Sequence, residues 1–144
     1  MLNQHEKCIE KSNGFCVSAG GFAEDGTAIN FLSNKRSSSK YITDHKNHAD
    51  YLLTLNEDVR CLKQITLLIT IPPCYKCYLS MIEKLDIKKI FYICDPRNKV
   101  KKRAYLKKSK IPIIKYKEKD KKLLHLISQR TNKAMKGHQY LRSN

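Results

Sequence analysis

The apolar positions of this chain fall in short blocks closed by polar or turn-forming residues, and the spacing within each block indicates its element. Residues 3–12 suit a short helix. Gly14 to Asn34 reads as a β-hairpin: Phe22 and Ala23, a turn at Glu24-Asp25-Gly26, then Thr27 to Leu32. A polar loop covers residues 33–47. From about His48 to Glu57 the spacing predicts a helix with Tyr51, Leu52 and Leu55 on one side. Leu62 to Ile71 is a strand, ended by Pro72 and Pro73, which bring no N–H to a ladder. A helix follows from about Tyr75 to Leu85, then a strand over Lys88–Asp95. Residues 98–109 form a basic helix, Ile111–Lys117 a last strand and Asp120–Met135 a closing helix.

Between the last two strands there is room for a helix of roughly ten residues, a crossover of the kind that parallel neighbours need. The expected fold is therefore α/β, a three-layer α-β-α sandwich around a mixed five-stranded sheet whose last two strands are parallel. At 144 residues the chain is expected to be a single domain over 1–144, long enough for one sizeable core. The longest apolar run, Ile65 to Ile71, is far short of the ~18 residues that span a bilayer. The N-terminal residues lack the apolar stretch of a signal peptide, so no membrane association and a cytoplasmic location are expected.

Charge divides the chain. Residues 1–96 carry 12 Lys/Arg against 11 Asp/Glu, whereas residues 97–144 carry 17 against 2. A near-neutral body is thus followed by a basic C-terminal third whose field attracts phosphates, on a nucleotide or along a nucleic acid. Lysines that simply solubilise a helix face are the plainer explanation. Lys99, Lys101, Lys102, Arg103, Lys107 and Lys108 are the candidate tract.

Six cysteines in a reducing compartment point to metal binding or free thiols rather than three bridges. Cys74 and Cys77, at the start of a helix, are the informative pair. A thioredoxin-type redox pair would follow the first strand, and this one follows the third. A structural zinc knuckle would need a second Cys-x-x-Cys, and Cys8, Cys16, Cys61 and Cys94 are scattered singly. A catalytic zinc needs one more ligand and an acid, and His48 with Asp50 at the preceding helix start supplies both. Three protein ligands leave an open fourth position, where a bound water is acidified and a carboxylate one turn away can shuttle its proton. Helix N-termini favour the thiolates such a site requires.

His48-Ala49-Asp50 followed by Pro73-Cys74-Tyr75-Lys76-Cys77 resembles the zinc-dependent cytidine/deoxycytidylate deaminase superfamily, whose signature is H-x-E with P-C-x-x-C. The similarity covers about Gly14 to Tyr116, and the crossover before the last strand resembles the branch of deoxycytidylate, tRNA adenosine and polynucleotide cytidine deaminases. It implies Zn2+ on His48, Cys74 and Cys77, and Asp50 as the proton-moving catalytic acid. It further implies Asn34 at the sugar and the Ala49 backbone N–H at the pyrimidine carbonyl. Lys35 and Arg36 fall where a 5′-phosphate could be met, and Tyr92 near the end of its strand suits core packing or a pocket wall. His45 lies in the loop, and His125 and His138 have no partner pattern. The chain departs from the family in having Asp for Glu, one methylene shorter; a misplacement of about an ångström can cost ~10²-fold in rate.

Hydrolytic deamination of a dCMP-type cytosine nucleotide is the leading expectation, in a homo-oligomer. Two others stay open: deamination of DNA or RNA along the basic tract, and a weakened or non-catalytic zinc-binding homologue acting as a nucleic-acid-binding or partner subunit.

Overall fold

The computed structural model describes residues 17–34 and 48–117. Five strands form one sheet in the order β2-β1-β3-β4-β5. They are β1 (Ser18–Phe22), β2 (Ala28–Ser33), β3 (Ile65–Ile69), β4 (Ile87–Tyr92) and β5 (Ile113–Lys115). β1 runs antiparallel to β2 and β3, while β3, β4 and β5 are mutually parallel. This is the expected mixed sheet, with its last two strands parallel and helices flanking it. The helices expected at 3–12 and 120–135 lie outside the described residues.

The middle strand explains why the sheet holds together. Ile65, Leu67 and Ile69 are fully buried, as expected of a central strand enclosed by its neighbours. Gly21 lets β1 approach it, since a Cβ there would collide with the Thr66 carbonyl oxygen. The hairpin turn is secured by the Asp25 carboxylate, which accepts from the Thr27 amide at 2.9 Å.

Helix α1 (Ala49–Leu53) lies over β1 and β2 and against α3 (Tyr75–Lys84). Ala49, Leu53 and Met81 join the strand residues in one core. The single helix expected over His48–Glu57 is in fact two. Thr54 ends the first by donating its hydroxyl to the Tyr51 carbonyl at 2.6 Å. Asn56 then caps α2 (Glu57–Arg60), accepting from the amides of Asp58 and Val59. Leu53 is consequently the residue that enters the core, and Leu55 is half exposed. The expected basic helix is likewise two single turns, α4 (Lys99–Lys102) and α5 (Ala104–Lys107), separated where Arg103 is extended.

Candidate metal centre

The strand ends decide where the candidate ligands point. Thr70, just beyond β3, receives the Ser18 amide on its hydroxyl at 3.0 Å, and its carbonyl accepts from the Cys94 amide at 3.0 Å. The exit from the sheet is thus pinned on both sides before the chain enters buried Pro72 and Pro73. Cys74 is extended and caps α3, with its carbonyl accepting from the Tyr78 amide at 2.9 Å. A cap residue and the third residue of the helix share a side, so the three-residue spacing aims both thiols at one point. His48 takes the same place on α1: it is extended, its carbonyl accepts from the Leu52 amide, and its imidazole makes no cap bond.

These two helix starts meet. His48 Nδ1 lies 3.7 Å from Cys74 Sγ and 3.4 Å from Cys77 Sγ. With zinc bonds of about 2.3 Å to sulfur and 2.0–2.1 Å to nitrogen, a tetrahedral site requires about 3.6 Å between N and S. The three ligand atoms lie within 4.8 Å of one another, and Asp50 is not among them. Both the donor set and its spacing fit zinc.

The electrostatics of the three groups diverge. The Cys74 thiol is pushed well below its usual range, chiefly by hydrogen bonding with Cys77, against the opposing effect of burial. Cys77 is pushed up, chiefly by its bond to Cys74. Burial alone would lower His48, but the Cys74 bond and the Asp50 charge outweigh it and raise its pKa. Asp50 is buried; desolvation first, then the charge of Cys74, raises its pKa, although a hydrogen bond with Cys77 works the other way. Its Oδ1 also accepts from the Tyr51 amide at 3.2 Å.

The segment after β4 borders this site. The Asp95 carboxylate accepts from the amides of Lys99 and Val100 at 2.8 and 3.0 Å, and Asn98 takes a left-handed conformation at φ 53°. Lys99 Nζ then donates to the Pro72 carbonyl at 3.4 Å, and the Tyr105 hydroxyl to the Pro73 carbonyl at 2.7 Å. Burial lowers the Lys99 pKa, with the Cys74 charge opposing. Burial, followed by the charge of Cys74, pushes Tyr105 up to about 12. Lys101, Lys102, Arg103, Lys107 and Lys108 remain exposed, so Lys99 parts from the other candidate tract residues and turns inward.

No family model matches this chain, and no curated protein matches it. Among solved structures, 13 chains match. One is a dCMP deaminase from the cyanophage S-TIM5 in apo form, similar over 69% of this chain and 79% of that one, at 17% identity and a TM-score of 0.47.

The other candidate residues take varied places. Ala49 is fully buried as the first residue of α1. Asn34 is buried, its Oδ1 accepts from the Val17 amide at 2.9 Å and its own amide donates to the Val17 carbonyl, so it closes the neck of the β1–β2 pair. Tyr92 packs partly buried against the core. Cys94 is buried, whereas Cys61 is exposed at the end of a short surface helix. Lys35, Arg36, His45, His125 and His138 lie outside the described residues, as do Cys8 and Cys16. Tyr105 was not singled out by sequence reasoning; a lone aromatic residue in a run of cations was the available signal.

Proposed function

We propose that this chain is a zinc-dependent deaminase that converts a cytosine nucleotide of the dCMP type to the uracil nucleotide and ammonia. The observation that carries the reading is the triangle of His48 Nδ1, Cys74 Sγ and Cys77 Sγ, with buried Asp50 beside it and outside the ligand set. When bound, zinc supplies Lewis acidity and an acidified water at its open position. His48, Cys74 and Cys77 would hold the metal. Asp50 takes a proton from the attacking water and gives it to the ring nitrogen, then passes the proton of the new C4 hydroxyl to the departing amine. A bond forms from oxygen to C4, the C4–N bond breaks, and ammonia leaves. The Ala49 backbone N–H orients the pyrimidine carbonyl; the assignment of Asn34 to the sugar rests on its sequence position.

The test is ammonia release by the zinc-loaded chain from dCMP, dCTP, cytidine and single-stranded oligonucleotides. Turnover of dCMP that disappears with a zinc chelator is expected. A folded, zinc-loaded chain that releases ammonia from none of them would leave the non-catalytic homologue as the better account.

A second reading, deamination within a polynucleotide, is favoured by one feature: the exposed cations of α4 and α5 adjoin the turn that carries Cys74. Turnover of the oligonucleotide with none of any free nucleotide would select it.

A further inference from the structure

Pro72 and Pro73 set the direction of Cys74, yet neither has an N–H with which to anchor itself. Their carbonyls are held instead by two side chains from a segment 27 and 32 residues away: Lys99 on Pro72 and Tyr105 on Pro73. We propose that Lys99 and Tyr105 are positioning residues for the metal, forming a two-point clamp that holds the Cys74 turn in its ligating geometry. The inference rests on the zinc reading of His48, Cys74 and Cys77.

Three features support the clamp. The Tyr105 bond, at 2.7 Å, has the usual length of a well-formed O–H···O contact, and the phenol remains protonated and able to donate. Its ring is braced edge-on by Tyr75, at 5.2 Å between centroids, and lies 5.5 Å from the Tyr78 ring. The Lys99 backbone is fixed independently by the Asp95 carboxylate, so its side chain starts from a defined point. Partners outside the ligand set orient ligands and raise metal affinity by limiting the geometries the free site explores. Tyr105 has the shorter bond, and the proline it holds is the one next to Cys74, so it is the stronger half of the clamp.

The test is zinc affinity of the full chain by chelator competition, with the metal alone as probe. Tyr105→Phe removes only the donating hydroxyl and should raise the zinc Kd about tenfold. Lys99→Met should raise it less, and Lys99→Arg should restore it by keeping a donor. Tyr78→Phe is the control: it removes the hydroxyl that donates to Ser109 at 2.7 Å, in the same aromatic cluster but off the turn, and should leave the Kd within about twofold. Wild-type chain that binds zinc, with Tyr105→Phe and Lys99→Met both indistinguishable from it, overturns the clamp and leaves the metal reading intact. An equal loss in Tyr78→Phe would reduce the effect to general packing and also overturns it. Wild-type chain that binds no zinc removes both.

Discussion

The ligand turns and the basic segment after β4 are neighbours built on opposite principles. His48, Cys74 and Cys77 are held by helix starts and a pinned strand end, with Cys77 buried and the other two half-buried. The segment from Lys99 to Lys108 displays most of its charge to solvent, where salt screens it within about 10 Å. Only its inner side, Lys99, Tyr105 and buried Leu106, behaves like the ligand turns. One stretch of sequence therefore has two kinds of residue that look alike in a charge count. Those facing inward act through geometry, and those facing outward act through a field.

The largest effect should come from the ligands themselves. Cys74→Ala, Cys77→Ala or His48→Ala should reduce zinc from about one per chain to none by elemental analysis, and destabilise the fold, since the metal would join two helices. Full zinc in Cys74→Ala would end the assignment. Next is Asp50→Ala, which should retain zinc and lower ammonia release by about 10²–10⁴-fold, while Asp50→Glu should keep or raise the rate. Undiminished turnover in the alanine variant would mean that another group moves the proton.

Below the ligand turns, Leu53 and Met81 are 1% and 0% exposed, so truncating either to alanine should cost about 2–5 kcal/mol in denaturant unfolding. A cost under about 1 kcal/mol would indicate that α1 and α3 do not share the core with β3. The smallest effect is expected at the outward cations. Charge reversal of Lys101, Lys102 and Lys107 should weaken oligonucleotide binding and flatten its dependence on salt, by about 0.7 in log–log slope for each phosphate no longer neutralised. Turnover of dCMP should stay within about twofold, because a mononucleotide presents only one phosphate. A fall in dCMP turnover as large as the fall in oligonucleotide binding would erase the distinction between the two regions.

Much of this was legible in the chain itself. The apolar run at Ile65–Ile69 and the two prolines after it mark a buried strand and its end. The parallel orientation of the last two strands followed from the length of the connection between them. The shared side of Cys74 and Cys77 was legible too, because a cap residue and the third residue of a helix share a side in any helix.

Features that were not legible depend on contacts between distant residues. The break between α1 and α2 depends on Arg60, whose Nε donates to the Thr54 carbonyl at 2.6 Å, as much as on the local sequence. The resemblance implied that His48 meets Cys74, but it is the placement of α1 against α3 that brings Nδ1 within 3.7 Å of a sulfur 26 residues away. Hydrophobic spacing reports which side of an element is buried, but not which other element buries it. For the same reason Lys99 looked like one more cation in a tract until the sheet placed its segment beside two proline carbonyls without amides of their own.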